Sequence, residues 1–373
     1  MSMRIARVMG IPVYLHYTIL LAFGLVSWTL ALNYMPSEYP GYSAQVYWII
    51  GVTSAGLLFL SVFIHELAHS YVAKKNGISI SRITLFIFGG VAQLGEDAPN
   101  ADVEFKVSFA GPATSFIMAG LFGLIYMVML GLGLGPVFYA TFEYGAFVNG
   151  MLGGFNLVPA FPLDGGRILR ATLWRRTRSL IRATRIASTV GVAFAYLFMF
   201  GGVFLLFLGV FVNGIWFMFI GWFLKNGAEA SLRHIVITDA LAGTSVAQIM
   251  TGAVDAIQAN SLVSDAIKDY FMRYKHGGYP ILDGENLVGI LTLEDVRKVP
   301  ESDRTRIQVK EIMTLIANVE TTHPEETAAD ALMRLSRRDV GRLPVVQNGK
   351  LVGIITRSDL MHVIKLRTEL QTN

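Results

Sequence analysis

Long apolar runs dominate the first two thirds of the chain. From Val8 to Ala73 there is no Lys or Arg at all. A helix that crosses the hydrocarbon core of a bilayer needs about 20 mostly apolar residues. Six segments meet that need, near residues 12–34, 46–73, 107–131, 137–158, 186–206 and 209–224. Only a glycine-containing step at Gly209 separates the last two. Between the second and third runs, "GISISRITLFIFGGVAQLGE" (77–96) alternates partly and is rich in β-branched residues, which predicts strands. After about residue 235 the pattern becomes that of a water-soluble α/β domain.

Composition agrees with a membrane protein. Of 373 residues, 53% are hydrophobic and 16% charged, and the mean hydropathy is +0.51. The net charge of +4 is too small to read as a nucleic-acid footprint. With no cysteine, disulfides and thiolate metal ligands are excluded, and the redox compartment is not legible. The basic start "MSMRIARVMG" is followed by no small-residue cleavage site, so the first run is expected to be a retained helix rather than a signal peptide. Arg4 and Arg7 precede the first run, and Lys74, Lys75, Arg82 and Lys106 lie between the second and third. Seven arginines from Arg167 to Arg185 lie between the fourth and fifth, and Lys225 and Arg233 follow the sixth. The other connections carry no Lys or Arg. Positive charge stays on the cytoplasmic side, so six spans with both termini in the cytoplasm satisfy every loop. The Arg-rich segment is expected to be a solvated anchor of that topology.

An internal repeat occupies the last third. "VAQIM…GGYPILDGENLVGILTLEDV" (246–296) is matched by "VKEIM…GRLPVVQNGKLVGIITRSDL" (309–360). Ile249–Met250 recurs at Ile312–Met313, an offset of 63, and Leu287 recurs at Leu351, an offset of 64, so one unit holds a single insertion. Each unit predicts a helical stretch, a β-hairpin around "DGEN" or "QNGK", a "GI-x-T-x-x-D" turn and a closing helix.

Within the second apolar run stands "FIHELAHS". His65 and His69 are four apart, so on a helix both rings face one side, with Glu66 beside them. H-E-x-x-H lets two imidazoles hold one Zn²⁺ while the adjacent carboxylate works on a water. A charge near the centre of a span costs about 2.5–3.5 kcal/mol on insertion scales. A metal is therefore a better account of these residues than a His–Glu pair packing two helices. For a third ligand, His234, His276, His323 and His362 lie outside the runs, and His16 reads as an interfacial residue. Glu143 sits at the outer end of the fourth run, away from the histidines, which lie roughly 8–15 Å along the helix from the cytoplasmic edge. Asp164 fits better. The fourth run descends to the same side and ends in "FNLVPAFPLDGGR" (155–167), where two prolines break the helix just before Asp164. Irregular backbone at that depth is tolerated where it lines a protein cavity.

HELAH followed about a hundred residues later by N-x-x-P-x-x-P-L-D-G-G resembles the site-2 protease family of intramembrane zinc metalloproteases, over the whole membrane half. "FAGPATSF" (109–116) is similar to that family's Gly-Pro segment, with Ser115 near where an Asn is often found. The resemblance implies that His65, His69 and Asp164 bind one Zn²⁺, that Glu66 is the catalytic base, and that Asn156 helps polarise the substrate carbonyl. A helix-capping role for Asn156 stays open. The repeat resembles a pair of cystathionine-β-synthase (CBS) motifs, in which the matching Thr292 and Asp295, and Thr356 and Asp359, would hold the ribose of ATP, ADP or AMP. The same T-x-x-D spacing also makes a helix cap.

The expected fold is thus a polytopic α-helical membrane domain of six spans, with a short β region after the second, followed by a cytoplasmic α/β CBS pair. Residues 1–234 form the membrane domain, 235–245 a linker, and 246–299 and 309–365 the two CBS motifs. The expected partners are the lipid bilayer, a substrate with a transmembrane segment, adenine nucleotide, and a second copy of the chain through the CBS pair, with no nucleic acid. The 77–96 strands would hold an unwound substrate by edge pairing, or serve only as structure. The competing reading is a CBS-gated metal-ion transporter or channel. That reading gives no role to Glu66.

Overall fold

The computed structural model describes residues 2–87, 89–94, 98–274, 276–337 and 340–370. The chain divides into two units, Met1–Arg233 and His234–Asn373.

The first unit opens with strands β1 (Ser2–Val8) and β2 (Ile11–His16). Met9 (φ 53°) and Gly10 (φ 83°) join them in a two-residue turn with both residues left-handed, the geometry that matches strand twist. The first apolar run was expected to be helical from residue 12. Pro12 and the alternation of Ile11-Pro-Val-Tyr-Leu-His16 instead give a strand, buried at Ile11 and Val13. Helix α1 begins at Thr18 and runs to Glu38, passing through a wider π-helical stretch at Leu30–Tyr34. The long helix α2 (Ala44–Lys75) follows, then β3 (Ile80–Phe86) and β4 (Gly89–Leu94). The sheet order is β1-β2-β3-β4, with β2 parallel to β3 and β4 at its edge. The β region after the second run is therefore half of a sheet whose other half is the N-terminal hairpin. Its apolar face, Ile11, Ile83 and Leu85, packs on Phe59, Val62, Phe63 and Leu67 of α2.

Helices α3 (Ala101–Gly131), α4 (Pro136–Asn156), α5 (Asp164–Thr177), α6 (Leu180–Phe207) and α7 (Phe211–Leu241) complete the unit. The unit boundary falls within α7. Among the described residues, four helices are long and apolar enough to cross a membrane: α1, α2, α3 and α6. Helices α4 and α7, expected as the fourth and sixth spans, are not among these four. The helices present large apolar side chains outward, with Phe207 86% and Leu20 71% exposed, a surface that lipid covers. Helix α5 occupies part of the segment expected to be a solvated anchor. Its Arg170 departs from that expectation. It is only 9% exposed and bonds through Nε to Oε1 of fully buried Glu104 at 2.7 Å.

The second unit is one mixed sheet in the order β5 (Ile257–Gln258), β6 (Gly278–Asp283), β7 (Asn286–Thr292), β10 (Lys350–Thr356), β9 (Arg342–Gln347), with β8 (Thr314–Leu315) on β7. The two expected hairpins are β6–β7 and β9–β10, and the second turns at left-handed Asn348 and Gly349. Helices α8 (Leu293–Arg297) and α9 (Arg357–Leu370) follow the two "GI-x-T-x-x-D" turns. Each repeat has its own core, one around Tyr279, Ile281 and Leu291, the other around Leu343, Val345 and Ile355. Residues 235–241, expected as linker, continue α7, and Ala240 and Leu241 join the second core, because their apolar side chains complete it.

Candidate metal centre and nucleotide clefts

Helix α2 presents His65 and His69 one turn apart on its buried face. The His69 Nδ1 lies 2.7 Å from the backbone carbonyl of Val107 on α3. A carbonyl only accepts, so Nδ1 carries the proton and the Nε2 lone pair is left free to bind. The His65 Nδ1 lies 2.8 Å from Ser115 Oγ, also on α3. Outer hydrogen bonds of this kind fix the tautomer and orientation of metal-binding imidazoles.

Asp164 arrives from the other side. Helix α4 ends at Asn156, the Pro159 and Pro162 loop follows, and α5 starts at Asp164 itself. A carboxylate at a helix N-terminus is favourably placed against the helix dipole. The two glycines after it are required by packing. A Cβ on Gly165 would lie 2.3 Å from the Val158 carbonyl oxygen, and one on Gly166 would lie 2.6 Å from the Phe161 nitrogen.

The three donor atoms form a nearly equilateral triangle. His65 Nε2 and His69 Nε2 are 3.1 Å apart, and Asp164 Oδ2 stands 3.2 Å from the first and 3.1 Å from the second. Zinc ligands at 2.0–2.1 Å in a tetrahedron stand about 3.3 Å from one another. The triangle therefore fits one face of such a tetrahedron and leaves the fourth apex for water or substrate. Space is provided as well. A Cβ on Gly111 of α3 would fall 2.2 Å from His69 Nε2 and 2.5 Å from His65 Nε2. Glycine at that position keeps the region in front of both nitrogens free of side chain. Glu66 is half-buried on the adjoining face of α2, under strand β4, where a Cβ on Gly90 would lie 2.3 Å from its Cγ.

Asn156 behaves differently. Its amide donates to the Leu152 carbonyl at 3.0 Å, inside its own helix, so it is not part of the donor triangle. His16 bonds to Thr18 Oγ1 at 2.9 Å, and Glu143 accepts from Tyr39, which agrees with their expected roles away from the metal. Sequence reasoning missed Ser115 as the partner of His65, the Val107 carbonyl, Gly111 and Gly90. It also missed Asn149, which ties α4 to α2 by donating to Ser61 Oγ at 2.9 Å. The Gly-Pro pair at 111–112 was a usable signal for close helix approach. A backbone carbonyl leaves none.

In the second unit both Thr–Asp pairs form helix caps. Thr292 Oγ1 donates to Asp295 Oδ2 at 2.6 Å, and Thr356 Oγ1 to Asp359 Oδ2 at 2.7 Å. The clefts beside them differ. One, of about 490 Å³, is lined by both Thr356 and Asp359, with Asp255, His276 and Arg342. The other, of about 760 Å³, is lined by Thr292 with Glu294, Glu320 and Arg342, whereas Asp295 turns its Oδ1 to Lys298 at 3.5 Å. Burial pushes the Arg342 guanidinium down from its ordinary pKa. Among the described residues it bonds to the Gly278 carbonyl, at 2.5 Å, rather than to a carboxylate. An anionic ligand group would answer that charge.

Comparison with known proteins adds the following. The family description "Peptidase family M50" matches residues 53–139 and 134–200, and "CBS domain" matches 246–302 and 309–366. Rip3 of Mycobacterium tuberculosis is 34% identical over 362 residues, covering 96% of this chain and 92% of its own length. Zinc metalloprotease MJ0392 of Methanocaldococcus jannaschii is 30% identical over 375 residues, covering 99% of each. The solved site-2 protease from Methanocaldococcus jannaschii is 35% identical, with a TM-score of 0.41, covering 62% of this chain and 96% of that one.

Gly111→Ala is expected to abolish stoichiometric zinc in the purified protein, because its methyl group would sit against both Nε2 atoms. Gly120→Ala, on the same helix with nothing within 4 Å, is expected to keep the metal. Elemental analysis after dialysis checks the pair.

Proposed function

This chain belongs to peptidase family M50, the site-2 proteases, and is an intramembrane zinc metalloprotease with a CBS pair; from that premise we propose that His65, His69 and Asp164 hold the zinc and that Glu66 is the general base. The observation that carries the reading is the donor triangle, with edges of 3.1–3.2 Å, directly beside Glu66. When bound there, zinc would lower the pKa of a water toward 7 and polarise the scissile carbonyl. Glu66 takes the proton from the attacking water and delivers it to the departing amine nitrogen. The Val107 carbonyl and Ser115 hold the two imidazoles in place throughout. Asn156 turns its amide from the Leu152 carbonyl to the substrate carbonyl oxygen and helps carry the charge that develops there.

The substrate is a transmembrane segment of another protein. Its helix must unwind before attack, since a helical carbonyl is hydrogen-bonded and wrapped by side chains. Strand β4, at the sheet edge and in contact with Glu66 through Gly90, receives the unwound stretch by backbone pairing. Six spans, counting α4 and α7, put both termini and the CBS pair in the cytoplasm, because the basic residues then all lie on one side. Adenine nucleotide occupies the cleft of Thr356 and Asp359, with Arg342 facing its phosphates, and sets access to the zinc site.

Two outcomes are expected. With a single-span substrate co-expressed, Glu66→Gln retains zinc but cleaves about 10²–10⁴-fold more slowly. Cleavage at the parent rate would remove Glu66 as the base, whereas a parent chain that cleaves nothing but carries metal across the membrane, with or without Glu66, would favour the transporter reading. In calorimetry with ATP, ADP and AMP, Asp359→Ala removes the binding heat that the parent chain shows, and Asp295→Ala leaves it; no heat with any of the three would exclude the nucleotide.

A further inference from the structure

We infer that the buried ion pair Glu104–Arg170 is a positioning pair that holds Asp164 against the two histidines. Glu104 lies on α3, three residues before Val107, whose carbonyl orients His69. Arg170 lies on α5, the helix that begins at Asp164. The pair therefore joins the two elements that approach the metal site from outside α2. Glu104 is 0% and Arg170 9% exposed. The Arg170 Nε donates to Glu104 Oε1 at 2.7 Å, and its Nη2 donates to the same oxygen. The guanidinium also lies 5.5 Å from the ring centroid of Phe161. Phe161 is buried in the loop that delivers Asp164. One side chain thus fixes the loop, the helix and the neighbouring helix together.

Stability alone does not account for the pair. Removing two charges from water costs several kcal/mol per ion, and an apolar pair of similar volume is often as stable or more so. This pair is not even fully satisfied, since Glu104 Oε2 is buried with no hydrogen-bond partner among the described residues and Arg167 approaches only to 3.9 Å, at Oε1. What such a pair does provide is a fixed register, because an alternative packing of α3 on α5 would leave two buried charges uncompensated. That register sets the 3.1–3.2 Å edges on which metal binding depends. A second ion pair, Asp102–Arg175, bridges the same two helices, but both side chains are about half exposed or more, where such pairs contribute little. It serves as an internal control.

The inference rests on the metal reading of the triangle, and the test separates the two. Full-length protein is purified in detergent, and zinc affinity is measured by chelator competition. The visible spectrum of the cobalt(II)-substituted protein reports donor geometry. The double variant Glu104→Leu/Arg170→Met, which keeps the volume and removes both charges, is expected to retain its helical circular dichroism. It should bind zinc about 10–100-fold more weakly, as loss of supporting groups does elsewhere, with an altered cobalt spectrum. Glu104→Gln, which keeps the shape of the side chain, should move both readouts in the same direction, and Arg170→Lys should restore part of the affinity relative to Arg170→Met. Asp102→Ala should change neither. Parent-like zinc affinity and cobalt spectrum in Glu104→Gln would overturn the inference, as would an equal loss in Asp102→Ala. Parent protein that binds no zinc would instead remove the metal reading.

Discussion

Two imidazole nitrogens and a carboxylate oxygen, held 3.1–3.2 Å from one another inside a helix bundle, repel unless a cation or a shared proton lies among them. The rest of the membrane unit can be understood as the means of enforcing that encounter. The His69 proton is committed to the Val107 carbonyl, so its inward nitrogen presents a lone pair. Asp164 brings a negative oxygen to the same point. A divalent ion resolves the conflict and converts an unfavourable cluster into a strong one. Away from water, the same ion would make the site a source of nucleophile.

The scaffold serves this meeting through close approach more than through bulk. Gly111 brings α3 against the donors, Gly90 brings β4 onto Glu66, and Gly165 with Gly166 fold the proline loop onto the start of α5. In each place a single methyl would collide with backbone or with the side chain of His65, Glu66 or His69. The sheet packs its apolar face on the stretch of α2 that carries the motif. Glu66 is thereby set between the face of α2 that carries the two histidines and an edge strand. That arrangement suits an enzyme whose substrate must be presented as an extended chain.

Much of this was legible in the sequence, and the remainder was hidden for definite reasons. HELAH and PLDGG announce their chemistry because metal ligation needs particular side chains at particular spacings, and the depth argument brought Asp164 to the histidines. The N-terminal hairpin was hidden because Ile11-Pro-Val-Tyr-Leu-His16 merges with the apolar run behind it, and only Pro12 marks the boundary. Arg170 was counted with its exposed neighbours, since the sequence does not show that Glu104, 66 residues away, is its partner. The repeat was plain, but its asymmetry was not. Asp295 and Asp359 occupy equivalent positions, yet Lys298 engages only the former, so one cleft is lined by its threonine and aspartate together and the other is not.

The most direct measurement is zinc K-edge X-ray absorption on the purified full-length protein. The account predicts a four-coordinate zinc with N/O ligands at about 2.0–2.1 Å, with the outer-shell scattering of two imidazoles and a remaining light-atom ligand from solvent. A zinc lacking imidazole scattering, or protein that takes up no zinc when it is supplied, would contradict it.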